Sequence, residues 1–344
     1  MRLGIIGLPQ SGKATVFEAL TQSVAGDGNR QESRIGTIFV PDERVNILSD
    51  MYNPRKTIFA QVEYFLPGKG DQGGAAKKDQ SIWTQVRDCD ALIHTVRNFS
   101  GYGLDAPTPR DDVAAIDQEL IISDLVVVEK RLERLALDER RGKKPSPEEV
   151  ALLNRCKEAL DQEVPLRRFP DITAAKLLRG FAFLSAKPML ILFNNDDEDD
   201  QLPDASQLPD GEECMVIRAK LEQELAQMSA DEATEFLAEF NITASATDRV
   251  IQRSYELMGL ISFFTVGEDE VRAWTIGRDT DAVDAAEVIH SDIKKGFIRA
   301  EVLAYDDLMA AGSYADARKM GTVRLEGKTY AVADGDIINF RFNV

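Results

Sequence analysis

The chain has 344 residues, 44% of them hydrophobic and 29% charged, with a formal net charge of −18. This length is enough for two or three domains that each bury a core. The acidic balance argues against nonspecific binding to DNA, which relies on a basic footprint, but leaves open a local patch that recognises structured RNA. No apolar run reaches the roughly 20 residues that a membrane span needs, and the first residues lack the composition of a signal peptide.

The cysteines and histidines limit the metal and redox chemistry to be expected. Cys89, Cys156 and Cys214 are odd in number and lack the spacing of metal ligands, which is typical of reduced thiols in a cytoplasmic protein. Only two histidines are present, His94 and His290, so a multi-histidine metal site is not expected.

The first predicted elements are a strand, a glycine-rich loop and a helix. Leu3–Ile6 is a short apolar run typical of a buried strand, GLPQSGKAT follows from Gly7 to Thr15, and Ala14–Thr21 has the apolar spacing of a helix. In this context the pattern of Gly, any four residues and Gly-Lys predicts a phosphate-binding loop. The alternative is a plain glycine-rich turn before a helix.

The loop keeps its phosphate-binding residues but lacks a metal ligand. Gly7 and Gly12 permit the backbone to wrap a phosphate, and Lys13 can neutralise its oxygens. The usual Ser or Thr that ligates Mg²⁺ is replaced by Ala14, and Thr15 points roughly 100° away on a helix. Nucleotide binding is therefore predicted, and metal-assisted hydrolysis is disfavoured. The predicted binding residues of the loop are Gly7, Gln10, Ser11, Gly12, Lys13, Ala14 and Thr15.

Two further apolar runs, Ala91–Val96 and Met189–Phe193, predict buried strands. Helical patterns separate them, which indicates an α/β fold with a largely parallel sheet. His94 lies within the first of these runs and is expected to be a core histidine with satisfied hydrogen bonds.

The second of these strands leads into an acidic loop, NNDDEDD, that is a candidate for base recognition. Asn194 and Asp197 fit the pattern Asn-Lys-x-Asp, in which the carboxylate accepts two guanine N–H groups, although Asn195 replaces the lysine. The alternative is an acidic loop that is simply solvated.

Residues 117–164 predict an antiparallel helical hairpin inserted between two strands of the sheet. Apolar residues in steps of four and three on both helices indicate a coiled-coil seam. Ser146, Pro147 and Glu149 predict the start of the second helix with a capping box. The basic turn Arg140–Lys144 is a candidate partner surface, and a packing role for the hairpin is the alternative. The predicted seam residues are Ile121, Leu125, Val128, Leu132 and Leu135, then Leu153, Cys156, Leu160 and Val164.

The segment from about Phe263 changes to short alternating strands around one predicted helix, Ala282–Ser291. Thr322–Val332 predicts two strands with a hairpin turn at Glu326-Gly327. Together these patterns predict a compact α+β module at the end of the chain. A strand face with Arg299, Arg324 and Arg341 is its candidate partner surface.

The motifs described so far make the chain resemble the YchF-type (Obg-like) ATPases, a branch of the translation-factor-related P-loop NTPases. The resemblance runs almost end to end. It depends on GLPQSGKAT, VPDERV, KPMLILFN and RAKLE, and above all on the final segments LISFFTVGEDEVRAWTI, VIHSDIKKGFIRAEV, LEGKTY and DGDIINFRFNV.

This resemblance implies a P-loop NTPase core interrupted by an antiparallel helical coiled-coil domain and followed by a C-terminal β-grasp (TGS, ubiquitin-like) domain. The expected boundaries are 1–116 with 184–262 for the nucleotide-binding domain, 117–183 for the insertion and 263–344 for the TGS domain. It also implies ribosome association, possible RNA contacts through the coiled-coil and TGS domains, and a family preference for ATP over GTP.

Several positions depart from the family pattern. Family members have Ser or Thr in place of Ala14, and a switch threonine in the loop that here reads GDGNRQESRIG. The Asp-x-x-Gly switch aligns with Glu63–Leu66, and the Asn-x-x-Glu base motif becomes Asn194-x-x-Asp197. These departures predict a divergent member with poor hydrolysis.

Three functions remain open at this point. The first is a nucleotide-binding regulator of translation that holds ATP or GTP, with doubtful Mg²⁺ binding and weak or absent hydrolysis. The second is an active ATPase in which Thr15 or Glu63 supports the metal. The third is an interaction scaffold without nucleotide, which Lys13 and both glycines argue against.

Overall fold

The computed structural model describes residues 1–23, 32–68, 82–208, 210–239 and 245–343. The chain divides into two compact units, Met1–Thr37 with Glu63–Val250, and Ile38–Val62 with Ile251–Val344. Among the described residues, no helix combines the length and the apolar character that crossing a membrane requires.

The first unit is organised by a sheet with the strand order β2-β4-β1-β5-β6-β7. β1 pairs in parallel with β4 and with β5, β5 with β6, and β6 with β7, so the predicted parallel sheet is confirmed for these pairs. The central strands are buried along nearly their whole length because helices cover both faces of such a sheet. The strands are β1 (Arg2–Ile6), β2 (Arg34–Phe39), β4 (Gln61–Leu66), β5 (Ala91–Asn98), β6 (Met189–Asn195) and β7 (Glu213–Ile217).

Helices and short 3₁₀ turns connect these strands. Within the described residues they are α1 (Lys13–Thr21), a helical segment at 82–86, α3 (Pro109–Arg140), α4 (Pro147–Asp161), α5 (Pro170–Thr173), α6 (Ala219–Leu225) and α7 (Ala230–Glu239). The 3₁₀ turns are Leu166–Arg168, Lys176–Phe181 and Ala205–Gln207. Helix α8 (Ala246–Leu257) begins in the first unit and ends in the second.

The long helix α3 packs in two cores in succession. Its first turns place Val113, Ile116 and Leu120 in the cluster that covers the sheet. Ile121 and the other predicted seam residues of α3 then face α4 in a separate cluster, although Leu125 and Leu132 are only partly buried. The last predicted seam residue, Val164, lies beyond the end of α4 and outside this cluster. The helix begins at Pro109, eight residues before the predicted start at 117, because its first turns find apolar partners on the sheet.

The helix pair α3 and α4 is antiparallel, since Arg131 pairs with Glu149 whereas Lys157 pairs with Glu129. Ser146 accepts a hydrogen bond from the Glu149 N–H at 3.4 Å, as expected for an N-cap. The predicted reciprocal half of the capping box is wrong, because the Glu149 carboxylate accepts from Arg131 Nε at 2.7 Å instead. An ion pair across the hairpin has replaced a local contact.

A buried carboxylate joins α3 to the chain that returns to the sheet. Asp124 is fully buried and accepts hydrogen bonds from the Leu184 and Ser185 N–H groups at 3.0 and 2.7 Å. Arg87 completes the cluster at 3.3 Å. Burial raises the pKa of Asp124, and these donors counteract that rise. The apolar pattern did not predict this residue.

The second unit contains a mixed sheet with the order β11-β10-β12-β8-β9-β3. β12 pairs with β8 in parallel, whereas β8 with β9, β10 with β11 and β10 with β12 are antiparallel. The strands are β3 (Lys56–Ile58), β8 (Leu260–Thr265), β9 (Glu270–Gly277), β10 (Phe297–Ala304), β11 (Arg324–Glu326) and β12 (Asp336–Phe342). The helices are α2 (Glu43–Tyr52), α9 (Ala282–Ile289), α10 (Ser291–Lys295), α11 (Tyr305–Ala311) and α12 (Tyr314–Met320).

Two local predictions in this unit are wrong. The predicted hairpin at Glu326-Gly327 does not form, because β11 pairs with β10 and leaves Gly327 at the end of an edge strand. The predicted helix Ala282–Ser291 is interrupted at His290, whose extended backbone ends α9 and caps α10. Both differences arise where a tertiary partner or a cap competes with local propensity.

His94 lies on β5 in the interior of the first sheet and is 1% exposed. The prediction of a buried histidine is confirmed, but the prediction that its hydrogen bonds are satisfied is wrong. Neither ring nitrogen has a partner among the described residues. Burial, together with the positive charges of Arg167 and Lys13, lowers the pKa of His94 to about 3.

Replacing His94 by leucine is therefore expected to stabilise the protein. Two orphaned ring nitrogens leave the core, which should raise the free energy of unfolding by about 1–2 kcal/mol at neutral pH. Because the pKa of His94 is lowered in the folded state, only the unfolded chain gains this proton as pH falls below about 6.5. Stability should then fall by up to about 1.4 kcal/mol per pH unit, and the variant should lack this loss. Urea unfolding between pH 7.5 and 5 measures both effects, and a leucine variant less stable than the parent would contradict them.

Candidate functional site

The glycine-rich loop joins the carboxyl end of β1 to helix α1, as predicted from the sequence. Gly7 and Gly12 have φ values of +149° and +88°, a region that favours glycine. A Cβ atom on Gly7 would lie 2.3 Å from the Thr95 carbonyl oxygen, and one on Gly12 would lie 2.2 Å from the Asn194 Nδ2 atom. The loop therefore needs glycine at both positions for space as well as for conformation.

The loop presents a positively charged helix terminus. Helix α1 begins at Lys13 with Gly12 as N-cap, and no side chain caps its first N–H groups. The Lys13 ammonium donates to the Gly7 and Leu8 carbonyl oxygens at 2.8 and 2.7 Å, so its charge lies over the loop. Uncapped N–H groups, the helix dipole and a lysine together form a phosphate-binding site.

The remaining predicted residues of the loop differ in how far they are exposed to solvent. Gln10 has a φ of +66° and is exposed, as is Ala14, whereas Thr15 is half-buried. Ser11 is buried, and its hydroxyl has no partner among the described residues. Ala14 carries no oxygen at the exposed position beside Lys13, so the loop itself offers no side-chain metal ligand there.

Asn194 has two hydrogen-bond partners within the protein. Its Nδ2 donates to the Ser11 carbonyl at 3.1 Å, and its Oδ1 accepts from the Ala219 N–H at 3.1 Å. The side chain is 5% exposed, and both ends of its amide are engaged within the protein. Asn194 thus clamps the end of β6 to the phosphate loop and to the start of α6, and its contact with the base stays a prediction.

Asp197 lies three residues beyond this clamp, with its side chain 40% exposed. Its carboxylate is 3.5 Å from the Lys220 ammonium, and its backbone carbonyl accepts from Arg218 at 3.4 Å. In the sequence, Arg218 and Lys220 stand out only as part of the RAKLE motif. The structure brings these residues beside the predicted base loop.

A third residue of that motif, Glu222, is 2% exposed. Its carboxylate accepts from the Ser245 hydroxyl at 2.5 Å, the Ala246 N–H at 2.7 Å and the Thr247 hydroxyl at 2.9 Å. Glu222 thus caps the start of α8 from a different helix. The signal in the sequence is a glutamate at an apolar position of α6, and it was not predicted to be a cap.

Glu63 does not lie at the phosphate loop. The parallel register pairs Glu63 with Arg2, at the end of β1 opposite the loop, and the two side chains form an ion pair at 3.1 Å. Continuing that register brings Leu66, the last residue of β4, level with Ile5. The prediction that Glu63 supports a metal is therefore wrong, and so is its alignment with the switch aspartate.

A metal site is also not apparent elsewhere in the described ranges. Within them, no three His, Cys, Asp or Glu side chains are grouped so as to hold a metal ion. Most of the loop GDGNRQESRIG, where the family has a switch threonine, lies outside the described residues.

A parallel sheet whose first strand leads through a glycine loop into a helix defines a nucleotide-binding protein of the P-loop class. Residues 260–343 match the family model YchF-GTPase_C, described as a protein of unknown function (DUF933). The chain is 38% identical over 363 residues to the ribosome-binding ATPase YchF of Bacillus subtilis, covering 99% of both chains. It is 33% identical to the protein of that name from Escherichia coli O157:H7, covering 100% of this chain and 99% of the relative. The chain belongs to the YchF family.

Solved structures agree with this assignment. The Schizosaccharomyces pombe YchF GTPase superposes with a TM-score of 0.85 at 27% identity, covering 99% of this chain and 97% of that one. A GTP-binding protein from Pyrococcus horikoshii, at 18% identity and a TM-score of 0.63 with both chains fully covered, shares the fold.

Proposed function

We propose that this protein is a ribosome-associated regulator of translation that binds a nucleotide and hydrolyses it slowly. The observation that carries the proposal is the loop Gly7–Thr15, with uncapped N–H groups and Lys13 at the start of α1. The relatives named ribosome-binding ATPase support the ribosomal partner and a cytoplasmic location. In the proposal the phosphates lie against Gly7, Gln10, Ser11, Gly12, Lys13, Ala14 and Thr15.

Slow hydrolysis is expected because neither Ala14 in the loop nor Leu66 at the end of β4 offers a side-chain oxygen that could ligate Mg²⁺. Mg²⁺ normally offsets the charge that develops on the phosphates, and it requires oxygen ligands. Ala14 supplies none, and Leu66 ends β4 without a carboxylate where that strand runs level with the end of β1. The nucleotide would then act as a structural ligand that Mg²⁺ affects little.

The proposed domains are 1–116 with 184–262 for nucleotide binding, 117–183 as a coiled-coil insertion and 263–344 as a TGS domain of the β-grasp type. The antiparallel pair α3 and α4 supports the coiled-coil insertion. The mixed sheet, with β12 beside β8, supports the TGS domain. We infer that partner contacts use the exposed basic turn Arg140–Lys144 more than the TGS strand face, because Arg324 and Arg341 are held in ion pairs.

Binding of ATP and of GTP to nucleotide-free protein by calorimetry, with and without Mg²⁺, tests the proposal. At least one nucleotide should bind, with a Kd that Mg²⁺ changes less than about threefold, or about 0.7 kcal/mol. If neither nucleotide binds, the chain is an interaction scaffold. If affinity depends steeply on Mg²⁺, another residue ligates the metal, and the active-ATPase alternative that the relatives' names favour takes precedence.

Ala14→Ser is expected to create metal dependence. The new hydroxyl lies at the exposed second position of α1, where it can ligate Mg²⁺. We expect about tenfold tighter binding with Mg²⁺ than without it, which is about 1.4 kcal/mol, and a rise in turnover. Ala14→Cys is the matched control, since a thiol of similar size is a poor ligand for Mg²⁺. Equal Mg²⁺ dependence in both variants would contradict the argument.

A further inference from the structure

The sheet of the second unit places two arginines directly opposite each other. The antiparallel register pairs Arg299 on β10 with Arg341 on β12, so both side chains lie on one face of the sheet. The next pair in register, Ala300 with Phe340, belongs to the buried core on the other face. Like charges directly opposite each other on neighbouring strands destabilise a sheet. The arginine pair therefore costs stability unless a negative group compensates it.

One buried carboxylate compensates part of this charge. Glu301 is 2% exposed, and its Oε2 atom accepts hydrogen bonds from Arg341 Nε at 3.1 Å and from the Nη2 of that arginine. Its Oε1 atom accepts from the Tyr314 hydroxyl at 3.0 Å and from Arg318 on α12. Burial alone would raise the pKa of Glu301, but the hydrogen bonds from these three side chains lower it below its usual value. Glu301 is thus ionised and holds two guanidinium groups in place.

Three guanidinium groups share this single carboxylate. Arg318 and Arg341 keep 60% and 54% of their side chains exposed, and each guanidinium has N–H groups that Glu301 does not use. Arg299 is exposed, and within the described ranges it has neither an ion pair nor a hydrogen-bond partner for its side chain. Two positive charges on this face are therefore left without compensation.

Other charges near this face do not remove the surplus. Asp316 on α12 is already paired with Lys319 at 2.7 Å. Arg324, which was predicted on the same strand face, lies on the opposite one, because β11 pairs it with the core residue Val302. A cluster with two uncompensated positive charges thus stands out in a chain whose formal net charge is −18.

The chemistry of this cluster fits a phosphate group. The planar guanidinium group binds phosphate oxygens through paired, charge-assisted hydrogen bonds. A phosphate monoester carries a charge of about −1.5 to −2 at neutral pH, which matches the surplus. A phosphodiester of a nucleic-acid backbone carries only one negative charge and would leave part of the surplus in place.

We propose that Arg299, Arg318 and Arg341 form a binding site for a phosphate monoester. Glu301 is its positioning residue, since it holds two of the arginines with their remaining N–H groups exposed. The site lies within the second unit and goes beyond the proposed function of the nucleotide loop.

The test titrates the full chain with inorganic phosphate at pH 8 and follows the arginine Nε–H signals by NMR, assigned with single arginine variants. The signals of Arg299, Arg318 and Arg341 should shift along one saturating curve. Following arginines separates this site from the loop Gly7–Thr15, which contains none. Arg299→Gln should weaken phosphate binding about tenfold, because it removes one charged donor group. Its melting temperature should stay unchanged or rise, because a like charge leaves the strand pair.

Arg55→Gln is the matched control, because it removes the same charge from the same unit. Arg55 is 83% exposed and precedes β3, which lies at the opposite edge of the sheet from β10 and β11. This variant should change phosphate affinity less than about twofold. Arginine signals that do not saturate with phosphate, or equal losses in the two variants, would overturn the proposal. Dimethyl phosphate carries one charge and should bind at least about tenfold more weakly; equal binding would overturn the monoester assignment in favour of a nucleic-acid backbone.

Discussion

Gly12→Ala is expected to abolish detectable nucleotide binding and to lower the free energy of unfolding by about 3 kcal/mol. The position has a φ of +88°, which strains an alanine by roughly 1–2 kcal/mol. The added Cβ would also lie 2.2 Å from the Asn194 Nδ2 atom, and the hydrogen bonds of that amide to Ser11 and Ala219 oppose its displacement. Relief of that clash breaks the clamp and moves the phosphate loop. Urea unfolding and calorimetric titration with ATP and with GTP measure the two losses.

Gly142→Ala is the control for Gly12→Ala, because it introduces the same backbone strain without a steric clash. Gly142 has a φ of +84°, but no atom lies within 4 Å of where its Cβ would be placed. This control should lose only the strain, about 1 kcal/mol, and should bind nucleotide like the parent. If both variants lost equal stability and both bound nucleotide, the Asn194 clamp would have no part in shaping the loop.

Glu222→Ala is expected to cost about 3 kcal/mol of stability. The buried carboxylate accepts hydrogen bonds from Ser245, Ala246 and Thr247, and removing it leaves those donors at the start of α8 unsatisfied. Lost hydrogen bonds to a charged acceptor and a lost helix cap add to a cavity of carboxymethyl size. Urea unfolding measures the loss.

Glu224→Ala on the same helix is the control for charge and helix propensity. Glu224 is exposed, so its removal should change the free energy of unfolding by less than about 0.5 kcal/mol. Equal losses in the two variants would mean that the Glu222 cap does not hold α8.

Patterns that depend on neighbours in sequence were predicted well. The phosphate loop, the buried parallel strands and the start of α4 each follow from residues within one or two turns of one another. Glycine conformations, apolar periodicity and N-cap chemistry are local properties, so they can be inferred without knowing the fold.

The errors concern residues whose partners are distant in sequence. The clamp made by Asn194 was not predicted, because its amide bonds to groups 183 and 25 residues away. Glu63 was a metal candidate until the strand register placed it opposite Arg2. The Glu149 carboxylate was predicted to bond within the local cap, but it accepts from Arg131, 18 residues earlier.

The sequence by itself determined the nucleotide loop, its missing metal ligand at Ala14 and the α/β class, because each depends on chemistry carried by adjacent residues. Only the tertiary structure decided that Asn194 is a clamp and that Glu222 caps α8. A polar side chain has several possible partners, and which one it bonds depends on the strand register and helix packing that bring distant segments within about 3 Å.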